Sequence, residues 1–157
     1  MPDRTEPPGA IASNEWVGIV DDDESIRRSL IRLLRVLGVR GESFGSADEY
    51  LEQVSSPPGC LLIDVQLGTS TGFELFDRLV ARDAVVPPVI FISAYDDPAT
   101  LRRAQTSGAR GWLRKPFTAA ALLELIEPHL SGEQIERAGA RDGISLYAAP
   151  ARANRER

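Results

Sequence analysis

The sequence predicts one α/β domain built on a parallel sheet with helices on both faces. Two observations carry that prediction. Short apolar runs alternate with amphipathic runs five times between residues 16 and 130, the pattern of repeated strand–helix units joined by crossovers. The apolar runs also lack the in–out polar alternation of a sheet with one face in water, so each strand is buried on both sides.

The elements follow in order. Trp16, Val17, Gly18, Ile19 and Val20 form the first strand. Residues 25–37 form a helix, because Ile26, Leu30, Leu33, Leu34 and Leu37 share one face, and Gly38 ends it. Residues 39–44 form a weaker second strand. Ser46 and Glu49 stand at capping-box spacing before a second helix that carries Tyr50, Leu51 and Val54. Cys60, Leu61, Leu62 and Ile63 form the third strand, which ends on Asp64. A turn-rich loop over 66–72 leads to a helix over 73–80. Residues 88–92 form the fourth strand, ending on Ser93. Pro98 opens a fourth helix that runs to about Ser107. Residues 109–113 form the fifth strand, just before Lys115. Thr118 caps a fifth helix through Leu122, Leu125 and Ile126, and Pro128 ends or kinks it.

Outside this frame, residues 1–15 read as a flexible, Pro-rich leader and residues 131–157 as a tail without a steady period. The 157-residue chain is 43% hydrophobic, enough for one core. Its net charge of -5 argues against direct, nonspecific DNA binding, which needs clustered Lys and Arg. Its one cysteine, Cys60, excludes an internal disulfide. With neither a signal peptide nor a membrane-length apolar stretch, the expected location is the cytoplasm, with no membrane partner.

In an open parallel sheet the functional groups lie beyond the carboxyl ends of the strands. Asp21 and Asp22 follow strand one, Asp64 strand three, Ser93 strand four and Lys115 strand five. Converging carboxylates repel: two unit charges ~4 Å apart cost roughly 4 kcal/mol at an effective dielectric of about 20. Mg²⁺ suits such a site, since it takes a few carboxylate oxygens and keeps several waters. Carboxylate, metal, ammonium and hydroxyl together suit a phosphoryl group, with Asp64 as the nucleophile that becomes an acyl phosphate. Asp23 and Glu24 read instead as acids favourable at a helix N-terminus. His129, the one histidine, reads as a surface residue near a helix end, so the phosphoryl group has to come from a partner or a small phosphodonor.

The segment Val20-Asp21-Asp22-Asp23-Glu24, the strand-terminal Asp64, Ser93-Ala94 and Lys115-Pro116-Phe117 together resemble the receiver domain of two-component response regulators, over about residues 16–130. The resemblance implies a (βα)5 flavodoxin-like fold with strand order 2-1-3-4-5. It implies that Asp64 is the phosphoryl acceptor, Asp22 a direct Mg²⁺ ligand, Asp21 its acidic neighbour and the backbone carbonyl of Gln66 a further ligand. Ser93 matches the switch hydroxyl, Lys115 the site lysine and Trp112 the position of a rotating Tyr or Phe. The Lys115–Pro116 bond resembles one that is cis in the family. Trp112 is larger than the usual aromatic. Gly68 stands where a proline is frequent, which predicts a more mobile loop.

The function so implied is a single-domain response regulator. It is phosphorylated by a histidine kinase or histidine phosphotransfer protein, acts on a further protein target and turns over no substrate. A Mg²⁺-dependent phosphohydrolase is a rival, but such enzymes carry a second acid two residues after the nucleophile, where this chain has Gln66. A degenerate receiver that works without phosphorylation is the other, and the intact acidic pair argues against it.

Overall fold

The computed structural model describes residues 16–130 apart from 84, 95 and 96. The leader and the tail expected from the sequence lie outside the described residues. Five strands, β1 (Val17–Val20), β2 (Gly41–Phe44), β3 (Cys60–Asp64), β4 (Val89–Ser93) and β5 (Gly111–Arg114), alternate with five helices. The helices are α1 (Glu24–Val36), α2 (Ala47–Gln53), α3 (Gly72–Arg82), α4 (Pro98–Thr106) and α5 (Ala119–Ile126). All four strand pairings are parallel and the order is β2-β1-β3-β4-β5, as expected.

The strands send alternate side chains into two cores. Val20, Leu61, Ile63, Phe91 and Trp112 join α2 and α3 residues, including Tyr50, Phe73, Phe76 and Leu79, on one face. Val17, Ile19, Cys60, Leu62, Ile90, Ile92 and Leu113 join Leu30 and Leu34 of α1 and Leu122, Leu125 and Ile126 of α5 on the other. Both faces are covered, which is why the strands carry continuous apolar runs. Cys60 is fully buried, and burial pushes its thiol pKa up.

Local chemistry sets the ends of the elements. Asp23 caps α1, its side chain accepting from the N–H groups of Ser25 and Ile26. Gly38 has φ +78 and donates to Arg35 O, while Val39 donates to Leu34 O. Those two bonds satisfy the last carbonyls of α1 in a Schellman arrangement. They also use Val39 as part of the helix stop, so ladder pairing begins at Gly41 rather than at Val39. Ser46 Oγ accepts from Glu49 N, as the capping box predicts. Glu49 reaches back one residue further than predicted, to Gly45 N at 2.7 Å. Pro128 does not kink α5; it sits in a 3-10 turn, Glu127–His129, that follows directly.

Two expectations change. His129 is half-buried rather than exposed. Its Nε2 is buried without a hydrogen-bond partner, and burial, followed by the charge of Arg110, lowers its pKa to about 4. The loop after β3, read from the sequence as turns alone, also carries strand pairing. Gln66–Leu67 and Ser70–Thr71 pair as a short antiparallel ladder, and Gly68 turns between them at φ +70, a conformation closed to proline.

Replacing Ser46 by alanine removes the oxygen that accepts from Glu49 N. The variant should lose about 1 kcal/mol of stability, read as a lower urea midpoint with an unchanged denaturant slope.

Candidate functional site

Four of the five strands deliver a polar residue to the same edge of the sheet. Asp64 is the last residue of β3 and Ser93 the last of β4, while Asp21 follows β1 and Lys115 follows β5. The register locks them together: Asp64 pairs with Ile92 across β3 and β4, and Ser93 with Arg114 across β4 and β5. Asp21 N donates to Phe44 O, and Lys115 N donates to Ser93 O at 2.8 Å. These bonds continue the ladders one residue past the strands, so the site's backbone is as fixed as the sheet itself.

At the centre, the Lys115 ammonium donates to Asp64 Oδ2 at 2.7 Å and reaches Asp21 Oδ2 at 3.4 Å. The two carboxylates are 2% and 8% exposed, so a single cation serves both in a place largely closed to water. Asp21 Oδ1 also accepts from Asp23 N, and Asp64 Oδ1 accepts from Gln66 N, both at 2.9 Å. The Asp21 carboxyl is pushed up to about 6. Burial is the main cause, and the neighbouring Asp64 carboxyl reinforces it by hydrogen bonding and by charge. Burial alone would pull the Lys115 ammonium down, but Asp64 and Asp21 outweigh it and raise its pKa.

Asp22 is exposed and lies beside the β3–α3 loop. A Cβ on Gly68 would stand 3.6 Å from its Oδ2. Gln66 is exposed at the start of the ladder, with its N–H turned to Asp64. Among the described residues, no three His, Cys, Asp or Glu groups stand together as a ready-made metal cluster. The donor set nonetheless fits a hard divalent cation. Two buried carboxylates share one ammonium, one of them is driven towards its protonated form, and a third carboxylate borders the same loop.

Ser93 is fully buried. Trp112 is 3% exposed and belongs to the α2/α3 core, so its size does not keep it out. The Lys115–Pro116 bond is cis, as the resemblance implied. Asp23 and Glu24 behave as helix-end acids, one capping α1 and the other paired with Arg28 at 2.7 Å.

One contributor carried no sequence signal beyond being a loop-end glycine. A Cβ on Gly72 would fall 2.5 Å from Asp64 O and 2.6 Å from Ile63 Cγ2. The first turn of α3 therefore presses its backbone onto the end of β3, and Gly72 N donates to Val65 O at 2.8 Å. Only glycine permits this approach, because a backbone oxygen cannot step aside as a side chain can.

Gly72→Ala should therefore cost about 1–3 kcal/mol in urea unfolding, with backbone amide shifts in a two-dimensional NMR spectrum centred on Asp64. The Asp21 carboxyl generates a pH prediction. It keeps its proton to about pH 6 in the folded chain, whereas an unfolded aspartate loses it near 3.8. Folding takes up a proton between those values, so stability without metal falls as pH rises through that window. Asp21→Asn removes the buried charge. Its melting temperature should gain on the parent's between pH 4 and pH 7, and an advantage that shrank over that range would contradict the assignment.

A family model, Response regulator receiver domain, matches residues 17–127. Nodulation protein W of Bradyrhizobium diazoefficiens is 37% identical over 111 residues, covering 70% of this chain and 48% of that protein. The transcriptional regulatory protein TdiR of Thauera aromatica is 34% identical over 116 residues, covering 73% of this chain and 51% of that protein. The chain thus spans about half the length of these two curated relatives. The crystal structure of a response regulator receiver protein from Burkholderia phymatum aligns with TM-score 0.61 at 37% identity, covering 71% of this chain and 94% of that one. A parallel five-stranded sheet in the order β2-β1-β3-β4-β5, an acid–lysine edge and a family match over most of the described residues agree: the chain belongs to the response regulator receiver domain family.

Proposed function

We propose that this receiver domain accepts a phosphoryl group on Asp64 from a phosphohistidine of a kinase or phosphotransfer protein, in a Mg²⁺-dependent reaction, and serves as a phosphorylation-controlled protein–protein switch. The observation that carries the reading is the Lys115 ammonium 2.7 Å from Asp64 Oδ2 and 3.4 Å from Asp21 Oδ2, at the carboxyl edge of the central strands.

In the proposed step an Asp64 carboxylate oxygen attacks phosphorus. A P–O bond forms, the P–N bond to the donor imidazole breaks, and the imidazole leaves with the bonding pair and takes up a proton. Asp21, Asp22, Asp64 and the Gln66 carbonyl are the proposed holders of Mg²⁺, which when bound would neutralise charge on the phosphoryl oxygens. Lys115 is proposed to turn from the bare carboxylate to a phosphoryl oxygen, keeping its charge in the site. Gln66 N already donates to one Asp64 oxygen, which orients the carboxyl group and leaves the other oxygen facing Lys115.

The switch is proposed to run from Ser93 through β4 to β5. Ser93 lies beside the fixed backbone of Lys115, and Trp112 pairs with Phe91 in the same register. A new anion that engaged Ser93 would bear directly on the strand holding Trp112. Among the described residues no helix is long and apolar enough to cross a membrane. The relatives named as transcriptional regulators extend well beyond the matched region, so what they bind is not carried over to this chain.

Acetyl phosphate with Mg²⁺ should label the parent chain with one base- and hydroxylamine-labile phosphoryl group, seen as a single mass addition. Asp64→Asn should abolish that addition while the chain stays folded. Labelling that persisted in the variant would remove Asp64 from its role.

A further inference from the structure

The peptide plane between Asp21 and Asp22 is gripped from one side by a residue that the reading above leaves idle. Arg27, on the first turns of α1, donates from Nη1 to Asp21 O at 2.7 Å in a partly buried setting. Asp21 N, at the other end of the same residue, donates to Phe44 O. The main chain of Asp21 is thus tied down at both its N–H and its carbonyl. Fixing that carbonyl fixes the plane that leads into Asp22, and with it the position of the Asp22 Cα from which the carboxylate side chain departs. Asp22 itself is exposed.

The guanidinium occupies a slot that the sequence keeps clear. A Cβ on Gly45 would lie 3.3 Å from Arg27 Nη1 and 3.5 Å from its Cζ, with Glu49 Oε1 at 3.4 Å. Glu49 is held by its bond from Gly45 N, so it cannot easily retreat. Gly45 leaves room for a planar cation between the β1–α1 and β2–α2 loops, and a charge-assisted bond to a carbonyl is stronger than a neutral one.

We propose that Arg27 is a positioning residue for the cation site. By orienting the Asp21–Asp22 peptide plane it aims the Asp22 carboxylate at the divalent ion. The proposal rests on the Mg²⁺-dependent reading of the site. It makes a prediction of opposite sign to simple electrostatics. Removing a positive charge near a cation site should by Coulomb attraction tighten Mg²⁺ binding. Losing the support of a ligand's orientation should weaken it, typically 10–100-fold for a partner just outside the metal's ligands.

The test is calorimetric titration of the full chain with MgCl2 alone, at fixed ionic strength, alongside melting temperatures without metal. Arg27→Met, which keeps an apolar stem, should raise the Mg²⁺ dissociation constant by about tenfold. Gly45→Ala retains the charge but presses on the guanidinium, and it should shift the constant in the same direction by a smaller factor. It also keeps the proposal testable if Arg27→Met fails to fold. Arg28→Met removes an exposed charge one residue along, and should leave Mg²⁺ affinity unchanged or slightly tighter. The proposal is overturned if Arg27→Met binds Mg²⁺ as tightly as the parent, if Gly45→Ala leaves affinity untouched, or if Arg28→Met weakens binding as much as Arg27→Met. A parent chain that bound no Mg²⁺ would instead overturn the reading of the site, and the proposal with it.

Discussion

One ammonium lies between two buried carboxylates at the open edge of the central strands, and the arrangement around it is built to keep it there. Lys115 is held through its own N–H by Ser93 O, Asp21 through its N–H by Phe44 O, and Asp64 by β3 itself. The side chains meet because the sheet ladders run one residue beyond the strands. Charge is concentrated where water is nearly excluded, so Asp21 is driven towards its protonated form. A site of this kind has unsatisfied demand for positive charge, and that demand is the physical root of the proposed metal dependence.

The fold supplies this edge cheaply in sequence terms. With both sheet faces covered, strand residues need only be apolar, and the last residue of each strand is free to be polar. Helix placement then does the fine positioning. The first turn of α3 lies against the Asp64 carbonyl with no room for a Cβ at Gly72, and Arg27 of α1 bonds the Asp21 carbonyl. Asp64 and Asp21 are thus each braced by the helix that follows them.

The loop after β3 illustrates how local chemistry can replace a familiar residue. A proline would stiffen a loop by restricting φ, and Gly68 cannot do that. The loop instead closes through a short ladder, with Gly68 at φ +70 and Leu67 buried beneath it. Order comes from pairing and burial rather than from ring geometry, and the turn passes over Asp22.

Apolar periodicity, caps and stops were legible in the sequence because they are local: Leu30 and Leu34 mark the inner face of α1, Gly38 its end, and Ser46 the start of α2. The order of Asp21, Asp22, Asp64, Ser93 and Lys115 along the chain was equally legible, since parallel strands must deliver their carboxyl ends to one edge. Tertiary structure alone decided the rest. Nothing in a string of residues says that Lys115 touches Asp64 more closely than Asp21, or that His129 turns its Nε2 into the protein. Nor does it say that Trp112 packs inward or that Gly72 meets the Asp64 carbonyl. Each of these depends on distances between separate elements, which exist only once the helices have packed onto both faces of the sheet.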